Sequence, residues 1–206
     1  FTHFVNHAAA FHSQFTRDDK DGIHHRVEFF LASHQVDAFF ANTWSYLSET
    51  DLYISHLVLR VATCAVANGG PTVKSIFTTQ FMPLVDKLLC GQTLQGTALS
   101  SLVACFRACG AATTFSSSTD VIEHFATLAS AVDTPRQAIL PIASVCAAYV
   151  NGIPDVASRQ AVVQSLFNLA RLPLAPENQA RLTFGMLALG NVGRENDLSS
   201  LGSAIV

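Results

Sequence analysis

Histidines, which can bind metals or transfer protons, are concentrated at the start of this chain. Seven of the eight precede residue 57, namely His3, His7, His12, His24, His25, His34 and His56. His3 and His7 are four residues apart, so on a helix they would share one face, as metal-ligating histidines do. No glutamate lies between them to act as a base, and no nearby carboxylate or cysteine completes a tetrahedral set. We therefore predict ordinary histidines and no metal, and keep a histidine-based metal protein or enzyme as a third hypothesis.

The cysteines are the next candidate reactive groups, and they are Cys64, Cys90, Cys105, Cys109 and Cys146. They form no Cys-x-x-Cys pair and lie in apolar stretches. Cys105 and Cys109 would be one helical turn apart, but the base and the electropositive surroundings that activate a thiol are missing. We predict reduced, buried thiols. Because no secretory signal is visible, we expect a reducing compartment. The localisation that we expect is cytoplasmic and nuclear.

The remaining motifs and the composition argue against several functional classes. The sequence has no phosphate-binding glycine loop, dinucleotide fingerprint or nucleophile elbow. Ser116–Asp120 reads as a helix-capping loop, with phosphorylation as its alternative function. Only 13% of residues are charged and the net charge is -3, which argues against nucleic-acid and polybasic membrane binding. Leu88–Phe106 and Ala138–Pro154 lack charge but contain glycine, proline or serine, which favours buried helices over membrane spans.

The elements that must position these residues form a repeating pattern. Amphipathic helices are predicted to start at Thr50–Asp51, Thr93, Thr134–Pro135 and Ala175–Pro176, where capping residues or prolines occur. Each carries a leucine (Leu57, Leu99, Leu140 and Leu182) and a glycine at its expected end (Gly69, Gly110, Gly152 and Gly193). Glycine is expected just past the end of a helix because it adopts a left-handed backbone conformation without a side-chain clash. Both markers recur about every 41 residues, within the range of HEAT and armadillo repeats.

This period predicts an all-α fold, a HEAT/armadillo-like α-solenoid of stacked antiparallel helix pairs. The predicted repeats are 50–92, 93–133, 134–174 and an incomplete 175–206, preceded by divergent N-terminal helices over 1–49. Second helices are expected over Thr72–Leu89, Ser118–Ala131 and Asp155–Leu172, with a last helix starting near Asp197. One helix pair cannot bury its apolar face alone, so neighbouring pairs must stack. We expect the array to continue past Val206.

Second helices commonly line the concave face of such arrays, so their sparse polar residues are the candidate partner-binding residues. They are Lys74, Asp86, Lys87, Glu123, His124, Arg159 and Gln164. A solvated face that binds nothing is the alternative interpretation of each.

Three segments resemble the cullin-associated and neddylation-dissociated (CAND) proteins. Ser48–Ser55 resembles the start of a central repeat, and Leu94–Ser100 resembles the Leu-Gln-Gly-x-Ala-Leu motif of the next one. Arg181–Leu182, Leu187–Gly193 and Asp197–Ser199 resemble a third segment, in the family's order and at about its spacing. The resemblance covers about residues 36–206 and would make the chain a central slice of a longer protein.

The resemblance implies a helical solenoid that is not an enzyme, carries no cofactor and wraps around cullins lacking the ubiquitin-like modifier. Such proteins bind the cullin–RING core, compete with substrate adaptors and promote exchange of substrate receptors. By their helical spacing, Leu99, Leu182 and Leu189 are expected to be packing residues, and helices are expected to approach closely at Gly96 and Gly190. A different HEAT or armadillo scaffold, such as a transport receptor or assembly platform, is the alternative that the repeat period supports equally well.

Overall fold

The regular secondary structure is helical throughout the part of the chain that the computed structural model describes, residues 36–48, 50–69, 71–91 and 94–198. In chain order the α-helices are α1 (Val36–Trp44), α2 (Leu52–Asn68), α3 (Pro71–Ile76), α4 (Met82–Cys90), α5 (Gly96–Ala111), α6 (Ser118–Ser130), α7 (Ile139–Gly152), α8 (Val156–Ala170) and α9 (Gln179–Val192). The all-α prediction is therefore confirmed. Residues 1–35 of the predicted N-terminal helices, the first six histidines and Thr93 lie outside the described residues.

Most helices start where the sequence predicts. Asp51 caps α2 by accepting a hydrogen bond from the Ile54 amide at 3.0 Å. Ser117 caps α6 through the Asp120 amide, and Asp120 lies in the first turn as expected. Such caps satisfy amide groups that have no partner within the helix. Short 3-10 turns precede α7 (Arg136–Ala138) and α9 (Pro176–Asn178).

The predicted glycine endings are wrong in conformation, and two are wrong in position. Gly69 follows α2 with an extended backbone, and Gly193 follows α9 with a right-handed helical backbone. Gly110 and Gly152 lie inside α5 and α7 rather than beyond them. A Cβ atom on Gly110 would lie 2.2 Å from the Tyr149 carbonyl oxygen, and one on Gly152 would lie 2.1 Å from the Arg107 carbonyl oxygen. These two glycines recur because α5 and α7 cross there at backbone distance.

The close approaches expected at Gly96 and Gly190 are also absent. A Cβ atom at either position would meet open space. Gly96 instead has φ of 59° at the start of α5, a left-handed conformation that disfavours residues with a side chain.

The helices that open the predicted repeats, α2, α5, α7 and α9, pack against one another in chain order, and we call them the first helices. α5 lies between α2 and α7, and α7 lies between α5 and α9. The second helices α6 and α8 pack against each other and against α7 and α9, with α8 and α9 forming the closest such pair. Three predicted second helices are observed with ends within two residues of those expected, although the first is divided into α3 and α4. The last one, expected to start near Asp197, falls largely outside the described residues, and the repeat boundaries remain a prediction.

The repeated leucines are not the most buried positions of these helices. Leu140 is 55% exposed, and Leu57, Leu99 and Leu182 are half-buried. The residues two positions later (Leu59, Ser101, Ile142 and Phe184) are all buried. These leucines therefore lie at the edge of the core, because a two-residue step along a helix turns the side chain to another face.

A π-helical turn over Phe77–Phe81 joins α3 and α4. Pro83 explains its position, since proline has no amide hydrogen and its ring collides with the carbonyl four residues earlier. Phe77 and Phe81, at the two ends of the turn, are both buried. Their ring centroids are 4.5 Å apart. The Phe81 ring also contacts Trp44 and the Phe77 ring also contacts Phe106, so this turn is anchored in the core.

Candidate protein-interaction surface

The second helices carry a polar cluster that joins two of them. His124 Nε2 on α6 lies 2.9 Å from Asp86 Oδ1 on α4. Both side chains are partly exposed, at 40% and 24%. The hydrogen bond to Asp86 is the main cause that raises the pKa of His124, against the opposing effect of burial. The structure therefore brings together Asp86 and His124, which the sequence analysis proposed separately as partner-binding residues.

Glu123 extends this cluster toward α9. It lies beside His124 on α6 and accepts a hydrogen bond from Arg181. Arg181 lies on a first helix, whereas the candidate partner-binding residues were predicted only from second helices, so the sequence analysis did not include it. We call Asp86, Glu123, His124 and Arg181 the charged cluster. Its charges are balanced in pairs, which favours orientation of a partner over tight binding by any single group.

Lys74 and Lys87 lie outside the charged cluster. The Lys74 ammonium donates a hydrogen bond of 2.5 Å to the Ala112 carbonyl oxygen just past the end of α5. A cation there complements the carbonyl-rich end of the helix, which gives Lys74 a structural role. Lys87 is exposed on α4, and its carbonyl oxygen accepts a hydrogen bond from the Gly91 amide at the end of that helix.

Arg159 and Gln164 line a pocket of about 430 Å³ beside α8. We call it the α8 pocket, and its lining residues are Val156, Arg159, Gln160, Val163, Gln164, Asn196, Asp197 and Leu198. Arg159 is held in place by donating to the Ile153 carbonyl oxygen at 3.1 Å. The sequence analysis did not identify Asn196 and Asp197, because they follow α9 and reach α8 only through the fold.

The potential reactive groups form no recognisable catalytic or metal arrangement among the residues that the structure describes. No group of three or more histidine, cysteine or acidic residues could hold a metal ion there. All five thiols are free; Cys105, Cys109 and Cys146 are buried, and Cys64 and Cys90 are partly buried. Burial raises the pKa of the Cys146 thiol. His56 is occupied by a 2.6 Å hydrogen bond between its Nδ1 and Ser101 Oγ.

Comparison with known proteins assigns no family. No family model, curated protein or solved structure matches this chain. None of the helices within the described ranges has the length and apolar character needed to cross a membrane. The function must therefore be argued from the residues and their geometry.

Proposed function

We propose that this chain is part of a protein-binding scaffold, an α-solenoid of helix pairs with a period of about 41 residues. The observation that carries the proposal is the packing of α2, α5, α7 and α9 in chain order. An array of this kind offers a long surface of second helices whose polar residues are free to vary without disturbing the core. The charged cluster and the α8 pocket both involve these second helices.

We further propose that the partner is a cullin–RING complex lacking the ubiquitin-like modifier. The support is the resemblance of three segments to CAND proteins, together with their places in the helices. Ser48–Ser55 covers the entry and first turn of α2, and Leu94–Ser100 covers the entry and first turn of α5. The third segment includes most of α9. The resembling segments thus occupy three of the four consecutive first helices.

The contacts inside two segments give their residues structural functions. Ser55 Oγ donates to the Ser48 carbonyl oxygen at 2.6 Å and accepts from the Ser48 amide at 2.9 Å, which fixes the chain entering α2. Leu94 is buried and Gly96 turns the chain into α5. These residues would set the angle between helix pairs, and a partner that wraps along the array depends on that angle.

In this proposal the chain does no covalent chemistry. It would bind the cullin–RING core, compete with a substrate adaptor for overlapping surface and so speed the exchange of substrate receptors. A ligand that binds one state at the expense of another shifts the equilibrium by the difference in its affinities for the two. The charged cluster would contribute orientation and association rate, because exposed balanced charges add little affinity.

A receptor-exchange measurement tests this function. A fluorescent substrate receptor is bound to an unmodified cullin–RING complex, and its release is followed after unlabelled receptor is added, with and without the longest native form of this protein. We expect faster release only when the protein is present and the cullin is unmodified. An unchanged release rate would reject exchange activity.

The alternative is another HEAT or armadillo scaffold, such as a transport receptor or assembly platform. The consecutive packing of the first helices supports it equally, since that feature does not depend on the partner. Sequence on either side of the segment in the full gene separates the two. Further CAND-like repeats on both sides favour the first proposal, and unrelated repeats favour the alternative.

A further inference from the structure

The chain contains two Asn-Gly pairs, Asn68–Gly69 and Asn151–Gly152. In such a pair the backbone nitrogen of glycine can attack the side-chain amide carbon of asparagine, because glycine has no side chain to block the approach. The attack requires a glycine nitrogen that is free of hydrogen bonds and a peptide unit that can rotate. The two pairs have the same residues, so a difference in their reactivity in the folded chain comes from the structure.

Asn68 and Gly69 lie where α2 ends, with the glycine nitrogen outside the helix. Asn68 is the last residue of α2 and is exposed, and Gly69 has an extended backbone with φ of -86° and ψ of 145°. Within the described ranges the Gly69 amide donates to no backbone carbonyl oxygen. Asn68 Nδ2 donates to the Cys64 carbonyl oxygen at 2.9 Å, a contact confined to the last turn. Because helix ends open at little cost in free energy, this pair can reach the reactive geometry.

Asn151 and Gly152 are shifted by one residue relative to their helix, which places the glycine nitrogen inside α7. Gly152 is the last residue of α7, so its amide donates to the carbonyl oxygen one turn earlier. A Cβ atom on Gly152 would lie 2.1 Å from the Arg107 carbonyl oxygen, so this peptide unit packs against α5. Asn151 Oδ1 also accepts a hydrogen bond from Asn196 Nδ2 at 2.7 Å. Rotation of this peptide unit therefore requires several contacts between distant segments to open.

We propose that Asn68 is a site of spontaneous deamidation in the folded chain, whereas the fold protects Asn151. The Gly69 nitrogen forms a bond to Asn68 Cγ, and the Asn68 amide nitrogen leaves as ammonia, which carries away the proton of the Gly69 N–H. Water then opens the resulting cyclic imide. Cleavage between Cγ and the nitrogen gives aspartate, and cleavage between the Asn68 backbone carbonyl carbon and the nitrogen gives isoaspartate. Water is the only co-reactant, and no atom is oxidised or reduced.

Either product weakens the joint between α2 and α3. A carboxylate replaces the amide that donated to Cys64, and it lies at the carbonyl-rich end of α2, where negative charge is unfavourable. Isoaspartate also adds a carbon atom to the main chain between Asn68 and Gly69. The joint is closely packed, since a Cβ atom on Gly69 would lie 2.6 Å from Val73 Cβ. This inference does not depend on the proposed function or on the partner.

The test is incubation of the full chain at neutral pH in water labelled with heavy oxygen, followed by peptide mass mapping. Opening of the imide incorporates a labelled oxygen atom, which separates new modification from modification present beforehand. We expect labelled aspartate and isoaspartate in place of Asn68. Modification of Asn151 should be at least about tenfold slower, because it waits for a rarer opening of the fold. Methylation by a protein isoaspartyl methyltransferase gives an independent count of the isoaspartate.

Unfolding in guanidinium chloride is the matched control, because it removes the structural difference between the two pairs. Both asparagines should then be modified at similar rates. Asn68→Gln should abolish modification at that position, since glutamine would have to form a larger ring, and Asn68→Asp should lower the denaturant midpoint. The proposal is overturned if Asn68 is modified only after unfolding, or if Asn151 is modified as fast as Asn68 in the folded chain. An unchanged midpoint for Asn68→Asp would overturn the weakening of the joint.

Discussion

Arg107 and Glu195 form a two-point ion pair although 88 residues separate them in the chain. Their nitrogen–oxygen distances are 2.7 and 2.6 Å. Arg107 belongs to α5 and Glu195 follows α9, so the pair spans the end of α7, which lies between these helices. Asn196 donates to Asn151 at 2.7 Å and adds α7 to the same connection. Three consecutive first helices are thus joined at one end.

This ion pair should contribute modestly to stability because both side chains are 45% exposed. We expect Glu195→Gln to lower the free energy of unfolding by at most about 1 kcal/mol. Arg107 lowers the pKa of Glu195, so the contribution is present above the ordinary glutamate pKa of about 4.3 and is lost as pH falls through the lowered value. Urea unfolding at several pH values, with Glu177→Gln as an exposed control, checks this. Equal acid sensitivity of parent and variant would contradict it.

The crossing of α5 and α7 should tolerate no side chain on its glycines. Gly152→Ala places a methyl group against the Arg107 carbonyl oxygen and should cost about 1–3 kcal/mol of unfolding free energy, as overpacking does. Gly190→Ala is the matched control, because its Cβ meets open space in α9. It should stabilise by about 0.5–1 kcal/mol, since alanine favours helix over glycine. Denaturant midpoints that move in the same direction for both variants would refute the crossing.

Burial rather than the repeat pattern should decide the effect of leucine truncation. Leu102 is fully buried, so Leu102→Ala should cost about 2–5 kcal/mol. Leu140 is 55% exposed, so Leu140→Ala should change stability by about 0.5 kcal/mol or less. Thermal unfolding of both variants compares them directly. A larger loss at Leu140 than at Leu102 would show that the helix faces are assigned incorrectly.

The contact between His124 and Asp86 should make stability depend on pH near neutrality. The pKa of His124 is raised by Asp86. Its contribution is therefore complete below the ordinary histidine pKa of about 6.5 and is lost as pH rises through the raised value. Histidine NMR titration should give a His124 pKa above about 6.5 in the parent and a lower one in Asp86→Asn. The same pKa in both proteins would exclude Asp86 as the cause.

The thiols should differ in reactivity according to their burial. Cys105, Cys109 and Cys146 are buried, and burial raises the pKa of Cys109 and Cys146. We expect these three to react with a disulfide reagent only after unfolding, since the thiolate is the reactive form. Cys90 is partly exposed and should be labelled first, with Cys90→Ser removing that phase. Rapid labelling of all five thiols in the native chain would contradict this packing.

Local sequence rules predicted the helices well and their contacts less well. Capping by Asp51 and Ser117 is decided within a few residues, so the helix starts followed from the sequence. The spacing of Gly110 and Gly152 was visible too, but its cause was not, because a close crossing depends on two helices at once. Arg181 and Asn196 could not be assigned to the polar surface for the same reason. Each reaches its partners only after distant helices have packed.

Binding of the longest native form to a cullin–RING complex, with and without the ubiquitin-like modifier, tests the central claim most directly. Size-exclusion co-elution at matched concentrations is the measurement. The account predicts a stable complex with the unmodified form and separate elution with the modified form. Separate elution in both cases, or equal co-elution with both, would contradict the proposed function.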